Sequence, residues 1–214
     1  MLARLTARAG AQSLALLGGF AVAPDDGLPE GSRTLVLLGP REPGFWPAFT
    51  ASPEWQDGAA DPMDRWSARV IGALAAEFGA TALFPFGGPP WRPFYDWALR
   101  TGRTFASPVR LLVHDEAGLF FSCRGALALR ESLDLPPPAA SPCEGCARPC
   151  LGACPVAALT EAGYDLPACH AFLDTAPGAD CLDRGCAVRR ACPRSQGHAR
   201  METQSAYHMR QFHR

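Results

Sequence analysis

The residues of this chain that could do chemistry are its cysteines. Four stand at Cys143, Cys146, Cys150 and Cys154, with Pro155 after the last. Four more stand at Cys169, Cys181, Cys186 and Cys192, with Pro193 after the last. A ninth, Cys123, lies apart in an apolar run. Thiolates are soft ligands, and thiols on leashes of two or three residues can converge on one inorganic centre. Three other uses compete. Two all-cysteine zinc sites would also take eight thiolates, but such sites favour paired C-x2-C knuckles, and only Cys143/Cys146 has that spacing. Disulfides suit small secreted chains, whereas this one has 214 residues and an odd total of nine cysteines. Scattered core thiols would not gather eight between positions 143 and 192.

The first run reads C-x2-C-x3-C-x3-C-P. It resembles the C-x2-C-x2-C-x3-C-P run of bacterial iron–sulfur ferredoxins and is one residue looser. In those proteins three closely spaced thiolates grip one cluster, while the cysteine before proline turns away to a second. The second run supplies the thiols that such a pairing demands, and eight thiolates match two 4Fe–4S clusters at four ligands each. The ferredoxin analogy assigns Cys143, Cys146, Cys150 and Cys192 to one cluster, and Cys154, Cys169, Cys181 and Cys186 to the other.

Elements upstream must position this module. Leu2, Leu5 and Ala9 fall at helical spacing in Met1–Gln12, and Ser13–Val22 reads as a buried strand. Thr34–Leu38 is a continuous apolar run closed by Gly39-Pro40, as expected of an interior strand. Pro43–Gly58 is irregular and aromatic. Asp61–Phe78 is the clearest helix, with Asp61 as N-cap, Pro62 in the first position and Gly79 as the stop. Its apolar stripe is Met63, Trp66, Val70, Ile71, Leu74 and Phe78. Ala82–Phe86 reads as a strand and Phe94–Thr101 as a short helix. Val109–Val113 and Leu119–Leu129 read as paired strands around Asp115-Glu116-Ala117-Gly118. The order α-β-β-α-β-α-β-β indicates a mixed α/β (α+β) layer fold. The boundaries expected are residues 1–134 for this domain, a Pro-rich linker at 135–140, and a cysteine module at 141–214 that ends in a helix over Ala206–Phe212.

Composition narrows the setting. Net charge is −1, so no global attraction to nucleic acid or acidic membrane is implied. All 20 basic residues are arginine. No run reaches the eighteen or so apolar residues that span a bilayer. Arg4, Arg8 and the stretch Leu14–Ala23 mimic a signal peptide, but Gly18 and Gly19 interrupt the stretch and Pro24 follows the Ala-Val-Ala site. Thiolate clusters call for a reducing compartment, so a cytoplasmic protein is expected.

Other residues carry two readings each. Gly87-Gly88 is a turn, or a phosphate loop without its Gly-x-Gly pattern or lysine. Cys123 is a core thiol or a spare redox group. His170 and His198 are surface residues or hydrogen-bonding neighbours of a cluster. Trp91, Arg92, Phe94 and Trp97 are core, or the rim of a pocket for a planar cofactor. Arg184, Arg189, Arg190, Arg194 and Arg200 form a solvated face, or a docking patch for an acidic redox partner.

With both halves laid out, the chain resembles the epoxyqueuosine reductases. These join a corrinoid-binding α/β domain, related to nitroreductase-like flavin folds and to cobalamin-processing dealkylases, to a two-cluster ferredoxin module. The resemblance runs through Gly118–Leu173: the segment GLFFSCRGALAL, the Leu-Pro linker, CEGCARPCLGACP, then YDLPACHAFL. The last of these maps a family cluster ligand onto Cys169. DCLDRGCAVRRACP is similar to the family's closing cysteine run, with wider spacing. Asp61-Pro62-Met63-Asp64 and Leu119–Leu129 look like the cobalamin-processing domain. The first domain is shorter than in the reductases, their C-terminal helical repeats are missing, and no residue matches the family's catalytic acid. The function expected is electron transfer through two 4Fe–4S clusters to a partner protein. The alternative is a corrinoid- or, less favoured, flavin-dependent reductase fed by its own clusters, with tRNA as a partner if the reductase analogy holds.

Overall fold

Leu5, Ala9 and the apolar run from Leu14 begin the chain, and in the computed structural model, which describes residues 1–213, they form α1 (Leu2–Ala11) and β1 (Leu14–Ala21). Next come β2 (Thr34–Pro40), the short helices α2 (Phe45–Thr50) and α3 (Pro53–Gln56), and the long α4 (Pro62–Phe78). β3 (Thr81–Leu83), α5 (Phe94–Arg100), β4 (Thr104–Ala106), β5 (Leu112–His114) and β6 (Gly125–Leu129) follow. After a long loop segment come the helices α6 (Leu166–Leu173), α7 (Ala179–Arg184), α8 (Ala187–Ala191), α9 (Pro193–Gln196) and α10 (Glu202–Phe212). Every strand pair is antiparallel, so the class is α+β. Among the described residues no helix is long and apolar enough to cross a membrane.

The chain divides into two compact units, each built from two segments. The first holds Met1–Arg103 and Ser122–Ala139; the second holds Thr104–Phe121 and everything from Ala140 onward. A single cut at 135–140 therefore does not describe the division. Most of the Pro-rich stretch belongs to the first unit, where the Ala139 N–H donates to the Gly102 carbonyl at 2.9 Å.

In the first unit the strand order is β1-β2-β6-β3. β2 and β6 are buried along their whole length, which explains their unbroken apolar sequences. α4 packs on β3 and β6, and α1 and α5 on β1. α4 buries Met63, Trp66, Val70, Ile71, Leu74 and Phe78, the stripe expected from its sequence. Gly79 ends it at φ 60°, the left-handed conformation glycine adopts without strain. Asp61 differs from the expected N-cap: it sits at φ 50° and its side chain makes no capping bond. Pro62, whose missing N–H costs nothing at that position, starts the helix without one. Pro43–Gly58 is more ordered than its sequence suggests. Phe45 and Phe49 meet Trp66 edge-on at 5.3 and 6.1 Å between ring centres, and this aromatic contact holds α2 against α4.

The expected hairpin across Asp115–Gly118 does not form as drawn. β5 pairs with β4, and β6 pairs with β2 and β3. Pro108 and the left-handed Arg110 (φ 61°) put the reversal at Ser107–Leu111 instead. Only a single bridge, His114 to Gly118, remains of the expected pairing.

Candidate metal centres

The second unit sorts its eight cysteines into two sets of four. Cys143, Cys146, Cys150 and Cys192 line one cavity of about 430 Å³. Cys154, Cys169, Cys181 and Cys186 line another, tighter one of about 20 Å³. Cys143 and Cys146 come from the loop leading into a 3-10 turn, Pro149–Gly152, Cys150 lies in the turn itself, and Cys192 reaches them from the junction of α8 and α9. Cys154, just past the turn, joins Cys169 of α6, Cys181 of α7 and Cys186 at the start of α8. The division is the one the ferredoxin analogy assigned.

All eight are free thiols, as is Cys123. Among the described residues no three His, Cys, Asp or Glu side chains stand as a group that could hold a metal ion. The thiols ring a volume rather than meet at a point.

Electrostatics reports the same grouping. Burial pushes the Cys143 thiol up, and Cys150, Cys146 and Cys192 add repulsion against a second negative charge. Cys150 is raised by burial and then by Cys192 and Cys146. In the other set burial raises Cys169, with Cys154 and Cys181 adding to it, and burial raises Cys181, with Cys186 adding to it. Cys143 and Cys150 in one set, and Cys169 and Cys181 in the other, thus resist ionisation unless positive charge enters between the sulfurs.

Donors already face several sulfurs. The Arg148 N–H points to Cys146 Sγ at 3.3 Å and the Ala158 N–H to Cys154 Sγ at 3.2 Å. Tyr164 Oη donates to Cys169 Sγ at 3.4 Å, and its ring stacks on Phe212. Around these groups lies an apolar core of Val109, Val113, Leu119, Leu159 and Val188, in which Cys150 and Cys192 are themselves buried.

Segment 104–121 is tied to this core at Gly118. That residue has φ 58°, and a Cβ there would come within 2.4 Å of the Ser195 N. The close approach lets the Leu119 N–H reach Ser195 Oγ at 2.9 Å. Half-buried Arg189 donates to the Leu119 carbonyl on the same loop. Sequence reading gave this segment to the other domain, because an apolar run does not announce which core it joins.

The remaining candidates fall outside the two sets. Cys123 belongs to the first unit, where burial pushes its thiol up to about 12. His170 places Nδ1 2.8 Å from His213 Nδ1 and stacks on Phe212. Burial lowers His198 to about 4, with Arg200 and His114 adding to the shift. Phe94 and Trp97 are buried against each other, while Trp91 is 67% exposed. Four of the five arginines in the expected patch are engaged within the unit: Arg184 and Arg190 pair with Asp180, Arg189 holds Leu119, and Arg200 holds Ser205 and Phe120. Arg194 is exposed beside the larger cavity. No family model matches the chain, and neither a curated protein nor a solved structure matches it.

Proposed function

We propose that the second unit is a ferredoxin-like electron carrier holding two 4Fe–4S clusters, one on Cys143, Cys146, Cys150 and Cys192 and one on Cys154, Cys169, Cys181 and Cys186. The observation that carries this reading is the exchange of one cysteine between the sets. Cys154 leaves its sequence neighbours for the later cysteines, and Cys192 leaves its own to join the first three. Two-cluster ferredoxins are built on that exchange.

The donor set fits the group. Sulfurs on one tetrahedral zinc at about 2.3 Å would lie about 3.8 Å from each other, whereas the first set of thiols rings a cavity of about 430 Å³. A polynuclear cluster keeps its four thiolates further apart and brings the positive charge that the raised thiol pKa values call for. Each cluster, when bound, supplies a one-electron couple whose potential is set by hydrogen bonds to its sulfurs and by exposure. The chain's own part is to exclude water with Val109, Val113, Leu119 and Val188 and to aim N–H and O–H donors at sulfur.

Anaerobically purified protein is expected to be brown, with about eight irons and eight sulfides per chain, four per cluster. Colourless protein with two zincs would overturn the reading. The first unit, by its resemblance, is read as a corrinoid-reductase-like layer domain serving as scaffold or docking face. No observation favours an enzyme site there, since Phe94 and Trp97 of the aromatic segment belong to the core. Cobalamin or flavin added to the full chain is expected to leave the ligand's visible spectrum unchanged, and a shift at micromolar concentration would restore the reductase reading.

A further inference from the structure

Ser107 lines the larger cavity beside Cys143, Cys146, Cys150 and Cys192, yet it stands 36 positions before the first of them. It is 8% exposed, and among the described residues its Oγ has no hydrogen-bond partner. The backbone holds it in place: its N–H donates to the Leu111 carbonyl at 3.0 Å and its carbonyl accepts from the Arg110 N–H at 3.1 Å. A hydroxyl buried without a partner is unfavourable, and a native structure rarely keeps one without a use. The charged side chains along the same wall are Glu144, Arg148 and Arg194. The two arginines only donate, and Glu144 is exposed to water. Among the side chains lining the cavity, the acceptors left for a buried donor are the four sulfurs.

We infer that Ser107 is a hydrogen-bond donor to the sulfur shell of the first cluster and sets its reduction potential. This rests on the cluster reading above. In the second set of thiols a side-chain hydroxyl already faces sulfur, where Tyr164 Oη donates to Cys169 Sγ at 3.4 Å. Each set of four thiols thus has one side-chain hydroxyl assigned to it. Reduction adds one electron, and so one negative charge, to the cluster. A donor at sulfur strengthens as that charge grows, stabilises the reduced form and raises the potential. Ser107 is a positioning and tuning residue rather than a ligand.

The test is a dithionite titration of the anaerobic full chain followed by electron paramagnetic resonance, on wild type, Ser107→Ala and Ser107→Thr, with iron counted in each. The first cluster's signal is the one that Cys146→Ser removes. Ser107→Ala is expected to keep its iron, to shift the first cluster to a more negative potential, and to leave the second where it was. Ser107→Thr, which keeps a hydroxyl, is expected to stay with wild type. If Ser107→Ala does not load iron, Ser107→Cys carries the comparison, because its S–H is only a weak donor, and the same negative shift is expected. Full iron with an unmoved first potential overturns the role of Ser107 and leaves the clusters standing. Wild-type protein without iron overturns both.

Discussion

At the scale of single residues, the exchange between Cys154 and Cys192 makes a prediction that sequence order alone would invert. Cys192→Ser is expected to remove or convert the cluster shared with Cys143, Cys146 and Cys150, and Cys154→Ser the other. Iron analysis with electron paramagnetic resonance separates the two variants. If Cys154→Ser instead removed the signal that Cys146→Ser removes, the partition would be wrong. Cys123→Ser is the control: iron content is expected to stay unchanged, with a stability loss of about 1–3 kcal/mol for burying a hydroxyl, read by denaturant titration. The eight ligand candidates were legible because close spacing is written in the sequence itself. Ser107 was not, since a lone serine in an apolar run gives no sign of the thiols it will meet.

Elements differ in how plainly the sequence announces them. α4 was legible from its stripe and its closing glycine, because a 17-residue amphipathic helix repeats the same signal several times. The three-residue strands β4 and β5 repeat nothing, so their pairing was decided by the backbone at Arg110 and by burial. The turn expected at Asp115–Gly118 is a real bend, but Leu119 continues toward Ser195 rather than back along β5. Gly118 is the element-scale test. Gly118→Ala places a methyl against the Ser195 backbone and imposes a left-handed φ on alanine, a combination expected to cost well over about 1 kcal/mol. Because Ser195 lies three residues past Cys192, the variant is also expected to bind its first cluster more weakly, visible as lower iron content and a lower melting temperature. An unchanged melting temperature would show that the loop yields without cost.

For the whole molecule, two acid windows are expected, one for each unit. In the first, the Arg69 guanidinium holds the Glu54 carboxyl at about 2, down from 4.5. A depressed carboxylate pKa stabilises the fold above 4.5, and that stability is lost as pH falls from 4.5 toward 2. In the second, His198 stays neutral down to about 4, whereas the unfolded residue takes up a proton near 6.5. The unfolded state then binds the extra proton, so stability falls as pH drops from 6.5 toward 4. Thermal melts of iron-free protein against pH are expected to flatten in the upper window for His198→Gln and in the lower window for Glu54→Gln. Iron removal provides the complementary check. Ligand binding contributes to folding where the site forms only in the folded state, so chelation is expected to lower the transition of the second unit and spare that of the first. A single transition moving as a whole would show the two units to be one cooperative body.

The two-segment make-up of each unit bears on how the protein is made. During synthesis Thr104–Phe121 leaves the ribosome before any of the eight grouped cysteines, and it carries Val109, Val113 and Leu119, which wall the core that holds Cys150 and Cys192. That hairpin must wait for the chain to return from Ala140 onward, while Ser122–Ala139 goes back to finish the sheet. Both four-cysteine sets are therefore complete only after nearly the whole chain has emerged. A fragment beginning at the first cysteine run would lack one wall of its own core, so the cysteine-bearing unit needs a segment that lies well before Ala140 in the chain.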